Sequence, residues 1–458
     1  MEKMTLSEIA EAVGGGLLYT ESENSAVSDI YSITTDSRKV SEGCLFIALK
    51  GENFDGHDFA DRFISDGGAA ALVSQDSGVR PAVLVGDTRK ALIDLAAYYR
   101  TKFNIPVVAV TGSVGKTTTK SMLAHALSVG MEVLATQGNL NNEIGLPLSI
   151  LSLENRHKAA VFELGMNHFG EMSRLSRTAK PCIAVITNIG TAHIGNLGSR
   201  ENILKAKLEI TDGLSSNGTL ILNGDDKLLW SIKGSLPYNT LYYGFKNSDV
   251  DFFAYDVVIG RDKSKFSIKV NGRTYRAEVN LTGQHHVSNA LAVISTSAEL
   301  KLDISETVRG IADFKGVPMR QSVIEKSGVK IIEDCYNASA DSMIAAFGVL
   351  KQISGTGLSI AVLGDMGELG DYDEQLHRYV GTALGEFDFS VLVTVGHKAA
   401  LIAEEAKKGG KIETASFFSN IDAAEYLKSK VSAGDVVLFK GSRAAKLEEV
   451  SSKLIENL

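Results

Sequence analysis

Between Val107 and Lys120 the chain reads VVAVTGSVGKTTTK, a run of β-prone apolar residues that passes directly into a glycine-rich turn ending in Lys-Thr-Thr. An apolar run without alternation fits a parallel strand buried on both faces. Gly112 and Gly115 allow the tight turn that points backbone N–H groups at an anion, and the helix beginning here aims its positive end at the same place. The pattern reads as a phosphate-binding loop. Thr111, Gly112, Ser113, Val114, Gly115 and Thr118 frame it, Lys116 meets the β- and γ-phosphates, and Thr117 offers a hydroxyl to Mg²⁺. It departs from the strict G-x-x-x-x-G-K-[ST] form, because Val110 stands where the first glycine would be. A structural strand, turn and helix without nucleotide is the alternative that this string alone leaves open.

Such a loop needs an α/β sheet around it, and the flanking sequence supplies the signals for one. Strand patterns at residues 159–164, 183–187 and 219–222 alternate with helical segments, the signature of a largely parallel sheet, and Asn271-Gly272 marks a hairpin. After Pro318 the alternation restarts, with strands expected at 329–333, 359–363, 391–395 and 436–439. The chain begins with a helix that Thr5 and Glu8 cap at capping-box spacing, followed by short strands at 44–49 and 82–85. The expected fold class is α/β in three domains. These are a small N-terminal α/β domain (1–103), a central P-loop domain with a parallel sheet (104–315) and a C-terminal Rossmann-like domain (316–458). Three is also the number that 458 residues suggest at roughly 150 per domain. Ligands of doubly wound sheets sit beyond the carboxyl ends of the strands, and the polar clusters of this chain fall there.

A formal charge of −8 argues against nucleic acid or an anionic membrane as the main partner. An anionic substrate then needs local cations, for which Arg38, Lys50, Lys116, Arg320, Lys440 and Arg443 are the candidates. No apolar run approaches the ~20 residues of a membrane span. Residues 1–16 carry acidic groups and a helical pattern in place of a signal sequence, so a cytoplasmic protein without membrane insertion is expected, acting as a monomer. Cys44, Cys182 and Cys335 are scattered and odd in number, which suggests reduced core residues rather than a disulfide framework or a zinc site.

Further candidates lie at strand ends. Glu163 closes AAVFELG and His193 follows IAVITNIGTAH, and a carboxylate and an imidazole at neighbouring strand ends can bind Mg²⁺ beside a nucleotide. On a helical wheel of RENILKAKLEI, Lys207 falls among Ile203, Leu204, Ala206 and Ile210, with Lys205 and Glu209 on the polar face. An inward lysine must snorkel, pair, shift its pKa or be modified. The loop GNLNNEIGLP, with Asn141 and Asn142, offers amides but no titratable base, which suits binding or shaping. Asp334-Cys335-Tyr336-Asn337, LGDMGELG, His377 and KGSR also sit at or after strand ends, where Lys440 and Arg443 can hold a phosphate or carboxylate. Near the start, TTDSRKVSEGCLFIALKGENFDGHDF places Arg38, Lys50 and His57 among Ser, Asp and Gly, which suits a nucleotide sugar or an ordinary turn-rich surface.

Taken together, these strings resemble the Mur ligases of peptidoglycan synthesis. The resemblance covers nearly the whole chain and rests on TDSRKVSEGCLFIALKGENFDGHDF, TGSVGKTTTK, GNLNNEIGLP, ELGMNHFGEM, TNIGTAHIGNLGS, KAKLEI, GQHHVSNALA, PMRQ, DCYNASADSM, LGDMGELG and KGSR, in the family's order. The short phosphate loop is shared by Mur and folylpolyglutamate ligases. The N-terminal string and the YNA and LGDMGELG strings point to the branch that joins D-alanyl-D-alanine to UDP-N-acetylmuramoyl-tripeptide.

The resemblance implies an ATP-dependent amide-bond ligase that works through an acyl phosphate, with two Mg²⁺ sites. By resemblance, Thr117 and Glu163 hold one Mg²⁺, and His193 with a carbamylated Lys207 helps hold the second. Asn289 lies near the adenine, and Arg320 and Asp334 near the ribose and phosphates. Ser37, Arg38 and Lys50 bind the UDP-sugar, while Asn337, Lys440 and Arg443 contact the reacting carboxylate or the dipeptide. One departure is Ala340, where the family more often has proline. The rivals are a sister ligase (third-residue Mur ligase or folylpolyglutamate synthetase) and a non-catalytic nucleotide-sugar binding protein.

Overall fold

The computed structural model describes residues 1–19, 29–410 and 412–458. Val107–Thr111 is fully buried and forms an inner strand of a nine-stranded sheet, between Ala159–Glu163 and Ile183–Ile186. Its valines leave no polar face, so neither side of this strand can face water. Parallel pairing continues through Thr219–Asn223, Asn239–Gly244 and Phe252–Ile259 on one side and to Val133–Ala135 on the other. Ser264–Val270 and Arg273–Val279 then extend the sheet antiparallel, joined at Asn271 (φ 49°) and Gly272 (φ 81°), the positive-φ pair of a two-residue hairpin turn. The hairpin was expected, but its place as an extension of the parallel sheet carries no local signal.

The second large sheet has six strands in the order Ser322–Lys326, Val329–Glu333, Val436–Lys440, Ser359–Gly364, Val391–Val395 and Glu413–Phe417. All pairings are parallel except the first. A five-stranded sheet near the N-terminus runs Gly16–Leu18, Ala82–Leu84, Ala70–Val73, Cys44–Ile47 and Ser32–Thr34, with only its first pairing antiparallel. The α/β class holds throughout. Among the described residues no helix is long and apolar enough to cross a membrane. The three cysteines are free, with Cys44 and Cys335 buried and Cys182 half-buried.

Two helix starts differ in detail from expectation. Thr5 accepts from Glu8 N at 3.1 Å, but the Glu8 carboxylate accepts from Tyr98 Oη at 2.9 Å and pairs with Lys102, so only half of the capping box forms. At the Ala340 departure, Ser339 caps Ala340–Ile353 with a complete box, its hydroxyl accepting from Ser342 N and the Ser342 hydroxyl accepting from Ser339 N. Hydrogen bonds thus set a helix start that a proline would otherwise set through its fixed φ.

Candidate active site

Strand register explains why loop, carboxylate and histidine meet. Glu163 lies opposite Val110 and Ile186 opposite Thr111, so three strands end at one level and their following turns open on one edge. The loop passes tightly under its neighbours: a Cβ at Gly112 would lie 1.9 Å from Thr187 Oγ1. Gly115 has φ 86°, and a Cβ there would come within 2.9 Å of Asn289 Oδ1. Asn188 accepts from Val114 N at 2.9 Å and donates to Val114 O at 2.8 Å, fixing the turn from the next strand end.

The turns open on a cleft of about 990 Å³ between the central and C-terminal sheets. Ser113, Val114, Gly115, Lys116, Thr117, Thr118, Asn141, Asn142, Glu163, His193, Asn289, Arg320, Asp334, Asn337 and Lys440 line it together. Thr111 lies behind it, donating to Leu164 O at 2.8 Å. Asn289 braces the loop from the helix Gln284–Glu299, its Oδ1 accepting from Thr119 Oγ1 at 3.1 Å.

The charges here are poorly satisfied by the protein. Glu163 is 2% exposed; Oε1 accepts from Asn141 Nδ2 at 2.9 Å, while Oε2 has no partner. A buried carboxylate oxygen without a partner fits a cation. Among the described residues no three His, Cys, Asp or Glu side chains cluster as a ready-made metal site, so a cation beside Glu163 relies on hydroxyl and ligand oxygens as well. Lys116 Nζ turns back to donate to Gly112 O at 2.8 Å. Burial pushes its amine below the ordinary lysine value; Glu163 and Glu368 pull it back up and Arg320 pushes it further down.

Lys207 is 1% exposed, beneath the cleft and not in its lining, as the wheel anticipated for its inward direction. Burial first, and the neighbouring Lys116 charge second, push its amine well below the ordinary value, and no carboxylate offsets this among the described residues. Lys205 is exposed, and Glu209 caps a neighbouring helix by accepting from Gly170 N at 2.8 Å.

The C-terminal sheet contributes through its own carboxyl edge. Lys440 Nζ pairs with Asp334 Oδ2 at 2.9 Å and donates to Asn337 O at 3.0 Å, joining three candidates around one buried ammonium. The Arg320 guanidinium lies 4.3 Å from the Tyr336 ring centre. Arg443 is outside the cleft, pairing with Glu448 at 2.8 Å. His377 is fully buried and structural: its Nε2 accepts from Met366 N at 3.0 Å, which holds the LGDMGELG turn.

Four contributing residues were not singled out from sequence. Glu368, within LGDMGELG, brings Oε2 to 2.6 Å from His193 Nδ1, although the pair lacks hydrogen-bond alignment. Contact with His193, and then Lys116, holds its carboxyl below the ordinary range. Asp341 Oδ2 accepts from Thr191 N at 2.7 Å and Thr191 Oγ1 at 2.8 Å, tying the two sheets together across the cleft. His285 and His286 meet Gln321 at the connection between the sheets. Each lies within a string quoted for the resemblance, LGDMGELG, DCYNASADSM or GQHHVSNALA, and that was a usable signal for all of them.

Ser37, Arg38 and Lys50 are not brought to this cleft. Arg38 is 87% exposed and forks onto Asp36, whose carboxyl it pushes down to about 2. Lys50 lies 3.9 Å from Asp55, and Ser37 is half-buried beside this turn. His57 is buried against Asp55 at 2.5 Å and accepts from Ser74 N at 2.9 Å, a structural role.

A phosphate-binding loop at the carboxyl edge of one parallel sheet, facing the basic carboxyl edge of another, defines a nucleotide-binding α/β protein that works between two sheets. Known proteins narrow the class. The Mur ligase family catalytic domain matches residues 29–112, the Mur ligase middle domain 110–297 and the Mur ligase glutamate ligase domain 319–443. The chain is 39% identical to the UDP-N-acetylmuramoyl-tripeptide--D-alanyl-D-alanine ligase of Bacillus subtilis, covering 100% of this chain and 99% of that protein. MurF from Acinetobacter baumannii has the same fold at TM-score 0.92 and 33% identity, over 100% of this chain and 99% of that one. The MurF ligase of Thermotoga maritima, solved with ADP, aligns at TM-score 0.84 and 30% identity, over 93% and 97%. The chain belongs to the Mur ligase family.

Proposed function

We propose that this protein is an ATP-dependent ligase that joins D-alanyl-D-alanine to UDP-N-acetylmuramoyl-tripeptide, giving the pentapeptide precursor of peptidoglycan. The observation that carries the reading is end-to-end likeness to such ligases, together with the phosphate-loop residues Lys116 and Thr117 lining one cleft with Glu163. Residues 1–103 are assigned to the UDP-sugar, 104–315 to ATP and 316–458 to closing over the reacting groups. Use of ATP and a nucleotide sugar suits a cytoplasmic enzyme.

A carboxylate is a poor electrophile, so it must first gain a leaving group. The terminal carboxylate oxygen of the tripeptide bonds to the γ-phosphorus as the bond to ADP breaks. The dipeptide amine then bonds to the acyl carbon, phosphate leaves with its electron pair, and the nitrogen loses a proton. Positioning and charge neutralisation supply most of the catalysis in such phosphoryl transfers.

In this reading Lys116 extends from Gly112 O to the γ-phosphate. Thr117 and the free Glu163 Oε2 would hold one Mg²⁺, which would neutralise phosphate charge. His193 and Lys207 would serve the second. Lys207 is suited to carbamylation because burial favours its neutral amine, which bonds to CO₂ and releases a proton to leave an oxygen ligand of negative charge. Asn289, Arg320 and Asp334 face the nucleotide. Asn141 orients Glu163, Asn142 shapes the adjoining turn by accepting from Gly145 N at 2.8 Å, and Asn337 and Lys440 face the reacting carboxylate or dipeptide.

The test is phosphate release with ATP, Mg²⁺, D-alanyl-D-alanine and UDP-N-acetylmuramoyl-tripeptides carrying lysine or diaminopimelate. Release that requires the dipeptide, with pentapeptide verified by mass, is the expected result. Release with a free amino acid alone would replace this reading with a sister ligase, and no release would favour a binding protein.

A further inference from the structure

Arg320 sits between two residues in left-handed backbone conformation, Met319 at φ 59° and Gln321 at φ 58°. Neither is glycine, so the surroundings must offset the strain of both. The Met319 carbonyl is engaged by Tyr336 N at 3.3 Å. Gln321 is gripped from the other sheet: its Oε1 lies 2.8 Å from His285 Nε2 and 2.8 Å from His286 Nε2.

The two histidines begin the helix Gln284–Glu299, which packs on the nine-stranded sheet, whereas Gln321 precedes Ser322–Lys326, the first strand of the six-stranded one. Their rings are 4.1 Å apart, centre to centre, and His286 is 3% exposed. An amide oxygen has two lone pairs and accepts from both rings when each carries its proton on Nε2. Burial keeps both imidazoles neutral, pushing His285 below the ordinary value and His286 well below it. His286, Arg320 and Gln321 line both the main cleft and a second cavity of about 240 Å³, so the grip forms part of the wall between them.

We propose that Gln321 is a positioning residue: the two histidines hold its side chain, the strained turn keeps its shape, and Arg320 is thereby aimed into the nucleotide cleft. Arg320 already reaches over Tyr336, and its charge acts on Lys116. The proposal rests on the reading of this cleft as the ATP site.

Two substitutions separate positioning from folding. Gln321→Gly removes the grip and relieves the left-handed strain, which offsets part of the cost of leaving two histidine N–H groups without an acceptor. Gln321→Met keeps the length and the strain but offers no amide oxygen. Binding of a non-hydrolysable ATP analogue to the full chain is measured by calorimetry, alone and with Arg320→Ala, alongside thermal melts. Both variants are expected to bind about tenfold more weakly, on the scale of one or two lost hydrogen bonds. Neither should weaken Arg320→Ala further, and Gln321→Gly should melt no lower than Gln321→Met, which keeps the strain as well as the orphaned donors.

Unchanged affinity in Gln321→Gly, or losses that add in full to that of Arg320→Ala, would overturn the positioning role. If the unaltered protein bound no analogue at all, the ATP reading would fail and this role with it. That result is distinct from one confined to the variants.

Discussion

Two sets of polar residues end in opposite physical states. In the N-terminal region Arg38 and Lys50 face water and find carboxylates on sequence neighbours, Asp36 and Asp55. In and beneath the cleft Lys116 is half-buried and Glu163 and Lys207 are buried, and their charges are opposed by distant groups or by none. A polyanionic ligand that arrives with a cation fits the second state, because the lysine donors would meet the anion and the free Glu163 oxygen the cation. The first state is that of an ordinary surface, where a binding role leaves no electrostatic trace.

The sharpest way to break this contrast is to remove the phosphate-facing cation. Lys116→Met is expected to lower turnover on the order of a thousandfold in the phosphate-release assay, since it removes charge neutralisation where the chemistry needs it. Retained turnover would mean that burial of this lysine is structural.

Lys207→Ala should lower turnover roughly a hundredfold, with partial recovery on adding a short carboxylate that fills the vacated position. Wild-type turnover, or a loss that no carboxylate relieves, would count against a ligand role for this buried amine.

The buried Asp334 and Lys440 pair tests stability rather than chemistry. Lys440→Met leaves the largely covered Asp334 carboxylate without its cation and should cost about 3 kcal/mol in denaturant unfolding, the low end for broken buried pairs. A change within about 0.5 kcal/mol would place this pair with the exposed ones.

His285 and His286 give a pH dependence with a defined sign. Their folded pKa values lie below the ordinary 6.5, so below that pH the unfolded chain binds more protons than the native one. Stability should fall as acidity rises from about pH 6.5, and melts of His286→Phe should show a shallower fall over the same window. Equal slopes would assign the dependence to other groups.

The smallest effect belongs to the exposed region. Arg38→Ala should raise the KM for the UDP-sugar a few-fold while leaving the melting temperature unchanged, because its pair with Asp36 is solvated. An unaltered KM would move the sugar site away from this turn.

Much of the fold was legible from local pattern. Residues 391–395 form the expected strand, and 183–187 and 436–439 differ from the observed strands by one residue at an end. These strands are buried on both faces, so apolar runs mark them without ambiguity. Ser264–Val270 alternates between buried and more exposed positions, and nothing local states which sheet edge it joins. Of the candidate site, the loop, Glu163 and inward-facing Lys207 followed from residue type and period. The grip on Gln321 and the carboxylate beside His193 did not.

The dividing line is the range of the forces involved. Turn chemistry, capping and hydrophobic period act over a dozen residues, so the phosphate loop and its strand are written into Val107 to Lys120. Whether a charge is satisfied depends on what packs against it from elsewhere. Asp341 reaches Thr191 across 150 residues, Tyr372 reaches Gly198 across 174, and Gln321 meets His286 across 35. Such contacts are set when two sheets align their carboxyl edges, a consequence of strand register and burial that no stretch of chain carries alone.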